Sequence, residues 1–225
     1  LTMKTVTQKL KKLQASLPQN KKIKLVVVTK TRTSKEIEEA ISAGAVSIGE
    51  NKVQEAEKKF PNINNLKNVE KRLIGNLQSN KTNKAVKLFD IIDTVDTEKI
   101  AKKISNAAKK INKIQRVLIQ INSSGEKAKS GFLLGEKDKI QRCAENKNIK
   151  IEGLMTMGPN TKNKKEIEKA FKETKELFDS LNKSESLKMK TLSMGMSGDY
   201  QIAIQQGSTD IRLGTAIFGE RPKIV

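Results

Sequence analysis

Short apolar runs alternate along the chain with longer stretches whose apolar positions return at helical spacing. The first run, KLVVVTK (residues 24–30), carries three consecutive valines, the composition of a strand buried on both faces. Further runs predict strands over residues 46–49, 72–75, 90–95, 116–122, 150–157, 190–194 and 209–213. Between them the spacing predicts helices over 37–43, 53–60, 79–89, 97–111, 135–146, 164–181 and 199–206, with a last turn at 215–218. Ser34 is a plausible cap for the first of these and Gly44 its stop. Ahead of them all, Leu10, Leu13 and Leu17 mark a helix over residues 1–17 that ends before Pro18 and packs on the outside of the repeating strands and helices.

Strand-then-helix repeats with short connections imply a parallel sheet wrapped by helices. Roughly eight such repeats, in a chain near the ~250 residues usual for the fold, point to a single (β/α)8 TIM-type barrel domain over residues 1–225 with an extra N-terminal helix. The competing architecture, an open doubly wound sheet, wants a glycine-rich phosphate loop after its first strand. Here that segment is TKTRTS, without glycine.

Composition narrows the chemistry. A formal charge of +20 suggests nucleic acid or an anionic membrane, but lysines alternate with glutamates on the 162–175 stretch, as on a solvated helix face. Six arginines and 3% aromatic residues supply little bidentate phosphate reading or base stacking, so nucleic acid is not expected as a partner. With no histidine, imidazole catalysis and His-based metal sites are excluded, and no metal site is expected. The lone Cys143 reads as a small core residue in a helix, which fits a reducing cytoplasm. No apolar run spans a bilayer and no signal-peptide core opens the chain, so a soluble cytoplasmic protein is expected, away from membranes.

In a barrel the strand ends collect on one rim, where the fold keeps its sites. That rim would carry Lys30, Glu50, Asn51, Asn76, Gln78, Asp96, Asn122, residues 155–158, residues 193–197 (including Ser193 and Ser197) and residues 212–215. Lysine is rarely placed at a buried strand end without purpose, although Lys30 taken alone also fits a side chain that snorkels to water. LSMGMSGD (192–199) and RLGTAIFG (212–219) set Ser and Gly, then Gly and Thr, at two strand-to-helix turns. Such turns bind phosphate, and loops after strands 7 and 8 do so repeatedly in this fold; singly, each also reads as an ordinary capped turn. Lysine, phosphate loops and an arginine beneath the ligand together describe a pyridoxal 5′-phosphate pocket. Lys30 would form the Schiff base, Ser197, Gly214 and Thr215 would hold the phosphate, and Arg212 would meet the pyridine nitrogen, unless it serves in a structural ion pair.

VVVTKTRT, IGENKVQE (48–55), LIGNLQSNK (73–81), INSSGEKAKSGF (121–132), GLMTMG (153–158), LSMGMSGD and IRLGTAIFGER (211–221) occur in one order along nearly the whole chain. Jointly they resemble the pyridoxal phosphate homeostasis proteins, which are similar to the barrel domain of alanine racemase standing alone. The resemblance implies that Lys30 carries the cofactor, that Asn51, Ser197, Arg212, Gly214 and Thr215 line its pocket, and that Lys129 in the KSG loop is an accessory residue, as Ser193 is on the rim. The chain departs from the pattern at Arg72, where the family often has histidine, which puts only the lining near that strand in question. The implied role is control of intracellular pyridoxal phosphate, and indirectly of amino acids, without turnover; the alternative is a genuine amino-acid racemase or lyase. A two-base racemase needs a second acid–base group facing the lysine. The only tyrosine, Tyr200, falls on the helix after the seventh strand and reads as packing or surface. A monomer is expected, with PLP-dependent apoenzymes as candidate recipients of the cofactor.

Overall fold

A computed structural model of the protein describes residues 5–126, 128–183 and 187–220. Eight strands close a parallel barrel: β1 (Lys24–Val28), β2 (Ser47–Glu50), β3 (Glu70–Leu73), β4 (Ile91–Val95), β5 (Gln115–Asn122), β7 (Ile149–Thr156), β8 (Thr191–Ser193) and β9 (Asp210–Leu213). Each pairs in parallel with the next, and β9 returns to β1 with Leu25 opposite Ile211 and Val27 opposite Leu213. The TIM-type fold expected from the repeat pattern is therefore present. One strand escaped that pattern. β6 (Phe132–Leu133) pairs with the end of β5, and two residues are too few to show a period.

Outside the barrel run α1 (Val6–Ser16), α2 (Ser34–Ser42), α3 (Val53–Lys59), α4 (Thr82–Leu88), α5 (Glu98–Lys110), α6 (Lys137–Ala144), α7 (Lys164–Asn182), α8 (Tyr200–Gln205) and α9 (Thr215–Phe218). The extra helix α1 buries Leu10 and packs on α2 and α9; residues 1–4 of its expected span lie outside the described residues. Gly44 ends the α2 region at φ +101°, where a side chain would strain the turn. The cap of α2 is Thr33 rather than Ser34. The Thr33 hydroxyl accepts from Glu36 N–H while the Glu36 carboxylate accepts from Thr33 N–H, and this reciprocal pair outcompetes a serine one residue later.

The strand expected over 24–30 stops at Val28. Thr31 adopts φ +61°, which turns the backbone away from the sheet and leaves Lys30 on the turn itself. Most of the core lies between barrel and helices, while Val26, Ile91, Leu118 and Met155 fill the barrel interior. That interior also holds Arg72, fully buried, with Nε and Nη2 on Asp93 (3.0 and 2.8 Å) and Nη1 on Asp210. Burial pulls the guanidinium pKa down, but Asp93 and Asp210 outweigh it and hold Arg72 above its ordinary value.

Cys143 sits fully buried on α6, as its neighbours in sequence implied, and burial pushes its thiol up to about 12. The thiolate is the reactive form. Cys143 should therefore resist iodoacetamide at pH 8 in the folded protein and alkylate readily in denaturant; labelling at the same rate in both states would contradict this placement.

Candidate functional site

At the carboxyl end of the strands lies a cavity of about 300 Å³, at the small end of the range for small-molecule sites. Six residues singled out from sequence line it: Lys30, Asn51, Ser197, Arg212, Gly214 and Thr215. They come from separated stretches of chain and meet because β1, β2 and β9 are neighbours, with β8 beside β9. Val28, Ile74, Met157, Met196 and Gly198 complete the wall. Met157 and Met196 fall within the rim stretches 155–158 and 193–197, whereas Val28, Ile74 and Gly198 lie outside them; strand parity (Val28 and Ile74 each two residues beyond an inward Val26 or Arg72) marks two of these three.

Among the described residues the wall carries two cationic side chains and no carboxylate. Arg212 is only 4% exposed, yet no described carboxylate bonds it. Its Nη1 donates to the Ser193 carbonyl and hydroxyl (3.0 and 2.7 Å) and its Nη2 to the Thr156 carbonyl (2.9 Å). Burial lowers its pKa to about 10, with nearby Asp93 partly offsetting this, so it stays cationic at neutral pH. The ion-pair alternative for Arg212 thus gives way to a guanidinium seated on neutral oxygens. Ser193 holds the arginine from below and does not line the cavity.

Asn51 stands where the chain leaves β2, and its backbone is crossed closely by Gly75. A Cβ on Gly75 would lie 2.2 Å from the Asn51 carbonyl, so only glycine lets these two rim segments touch. On the far side, Gly214 opens α9 against β1, where an added Cβ would meet Val28 at 3.2 Å. Thr215 and Ser197 are both exposed to the cavity mouth.

Other rim residues go elsewhere. Lys129 is not in the wall; its Nζ bonds Ser124 Oγ (3.3 Å), Glu126 Oε1 (2.7 Å) and the Gly158 carbonyl (3.2 Å), tying the loop after β5 to the end of β7. Asn122 fastens the same loop through the Glu126 and Lys129 carbonyls. Glu50 turns away from the cavity into the layer between sheet and α3. Arg72, at the departure from the family pattern, lies deeper in the barrel, and the residue that the β3 segment sends toward the cavity is Ile74. Tyr200 packs half-buried against the core and does not reach the wall.

The family model described as "Alanine racemase, N-terminal domain" matches residues 2–222. A pyridoxal phosphate homeostasis protein of Synechocystis is 40% identical over 208 residues, covering 92% of this chain and 94% of that protein. One from Aquifex aeolicus is 36% identical over 199 residues, covering 88% and 87% respectively. Among solved structures, PipY of Synechococcus elongatus with PLP bound superposes with a TM-score of 0.88 at 30% identity, over 96% of this chain and 100% of that one.

Proposed function

Since the chain belongs to the pyridoxal phosphate homeostasis protein family, we propose that it binds pyridoxal 5′-phosphate in the carboxyl-end cavity and carries it on Lys30 as a Schiff base. The observation that supports this most is the cavity wall: among the described residues it holds one lysine and one arginine, two hydroxyls, glycine backbone, and no carboxylate to repel a phosphate. When bound, the cofactor supplies an electrophilic aldehyde carbon and a ring that accepts electron density. Ser197 and Thr215 donate hydroxyls toward the phosphate, Gly214 lets backbone approach it, and Asn51 closes the ring side. Arg212, held on Ser193 and Thr156, offers a permanently charged donor to the pyridine nitrogen. A donor that keeps its proton leaves that nitrogen unprotonated and weakens the ring as an electron sink.

This favours a carrier or regulator over an enzyme. Among the described lining residues no tyrosine, carboxylate or thiol faces Lys30, so the second proton-transfer group of a two-base racemase is missing from the wall. Steady conversion of L-alanine by the purified, loaded protein would overturn this part of the reading. As a carrier it acts in the cytoplasm as a monomer and supplies PLP-dependent apoenzymes; among the described residues no helix is long and apolar enough to cross a membrane.

The pocket itself is tested by absorbance on adding pyridoxal phosphate, then borohydride reduction and peptide mapping. The expected adduct is on the peptide holding Lys30, and adducts scattered over other lysines would reject the site. Ser197→Ala with Thr215→Ala should cost about 3 kcal/mol of binding, from two hydrogen bonds to a charged group at about 1.5 kcal/mol each. That is roughly a hundredfold rise in Kd by titration. Unchanged affinity in the double variant would mean the phosphate sits elsewhere.

A further inference from the structure

Behind Lys30, on the helix side of the sheet, lies a buried charged group that the cofactor site does not use. Glu50 is fully buried at the end of β2; its Oε1 accepts from Thr29 Oγ1 (2.7 Å) and Lys59 Nζ (3.0 Å). Its other oxygen, Oε2, has no hydrogen-bond partner among the described residues. Burial raises the Glu50 pKa, opposed by the Thr29 hydroxyl and Lys59. A buried acceptor left unmatched costs roughly 1–3 kcal/mol, and apolar residues fill such a position more cheaply.

The contacts of this group converge on the two residues that flank Lys30. On one side, the Thr29 carbonyl accepts from Lys59 Nζ (2.9 Å), its N–H donates to the Gly49 carbonyl (2.9 Å), and its hydroxyl is held by Glu50. On the other, Thr31 N–H donates to Glu55 Oε1, the same carboxylate oxygen that pairs with Lys59. Thr31 is β-branched and sits at φ +61°, a conformation that persists only where surrounding contacts enforce it. Lys59 and Glu55, one turn apart on α3, thus grip both peptide groups around Lys30, with Glu50 anchoring Lys59 from below.

We propose that Glu50, Lys59 and Glu55 are positioning residues that clamp the backbone on either side of Lys30 and so determine how readily its amine bonds an aldehyde ligand in the cavity. The step they serve is addition of the Lys30 nitrogen to the aldehyde carbon, with the aldehyde oxygen leaving as water. None of the three lines the cavity, so the clamp acts on covalent capture and leaves recognition of phosphate and ring to other residues. This inference rests on the proposed cofactor site.

Two probes separate the steps. Pyridoxine 5′-phosphate has the ring and phosphate but an alcohol in place of the aldehyde, so it measures the pocket alone. Pyridoxal 5′-phosphate followed by borohydride and mass spectrometry measures the fraction captured on Lys30 against time. For Lys59→Met and Glu50→Ala we expect the rate of capture at saturating pyridoxal phosphate to fall roughly tenfold, as for one lost hydrogen bond to a charged group. The Kd for pyridoxine phosphate should stay within about twofold, far less than one such bond is worth. Glu50→Gln, which keeps an acceptor for Thr29 and Lys59, should recover most of the capture rate. Capture unchanged in both variants, or capture and pyridoxine phosphate binding lost together, would overturn the clamp while leaving the cofactor site standing. Absence of any Lys30 adduct in the wild-type protein would overturn both.

Discussion

Replacing Lys30 by alanine is expected to abolish covalent capture of pyridoxal phosphate and leave only weak, reversible binding. Lys30 is one of 39 lysines, so the selectivity must come from place and not from residue type. Its half-buried side chain lines the cavity with Asn51, Ser197, Arg212, Gly214 and Thr215, and a phosphate seated there would present the aldehyde to this amine at high effective concentration. An exposed lysine meets the aldehyde only by diffusion and dissociates again. After borohydride, the wild-type protein should carry one adduct on the peptide holding Lys30, whereas Lys30→Ala should carry none there and no compensating site elsewhere. Reversible binding should survive because Ser197, Thr215 and Arg212 remain. An adduct in Lys30→Ala with the wild-type spectrum and stoichiometry would show that the strand-end lysine is incidental.

The largest effect on stability is expected from Arg72→Met. Arg72 is the partner that Asp93 and Asp210 share inside the barrel, and Asp93 is itself fully buried. Removing the guanidinium leaves buried carboxylates without their counter-charge, a change that typically costs about 3–5 kcal/mol. For a chain of this size each kcal/mol moves Tm by roughly 2–4 °C, so a loss of about 10 °C is expected by thermal denaturation. Removing the carboxylates as well, with Asp93→Leu and Asp210→Asn on the Arg72→Met background, should recover much of it, because a matched apolar filling replaces a buried ion cluster at little cost. A Tm within about 2 °C of wild type for Arg72→Met alone, well short of the shift one such loss implies, would mean that the cluster is hydrated and weakly coupled to folding.

Arg72 also illustrates where sequence reading stops. Its one-dimensional surroundings, Lys71 before and Leu73 after, mark it only as a polar residue in a strand. Its partners lie 21 and 138 positions along the chain, and closure of the barrel alone brings them together. Glu50 is similar. Its place just before Asn51 suggests a rim residue, but alternation of side chains sends the two to opposite faces, Asn51 to the cavity and Glu50 to the layer beneath α3. Lys129 and Ser193 belong to the site's sequence pattern and stand near it in space, yet one ties loops and the other seats Arg212, tasks defined by distances of 2.7–3.3 Å that no motif encodes.

What the sequence determined by itself was the class of fold, the alternation of its eight barrel strands with their helices, and six residues that meet at the cavity. Period-2 and period-3.6 patterns reflect local backbone geometry, and the number of repeats then leaves a closed barrel as the arrangement that pairs every strand. Parallel strands with short crossovers put every carboxyl end on one face, which brings Lys30, Asn51, Ser197, Arg212, Gly214 and Thr215 within reach of one cavity, while Glu50, Asn122 and Ser193 on the same rim turn to other partners. Tertiary structure alone decided which way the side chains beneath the rim turn, which charges pair inside the barrel, and how the peptides beside Lys30 are held. Those outcomes depend on contacts between residues far apart in the chain, which form only after the barrel closes.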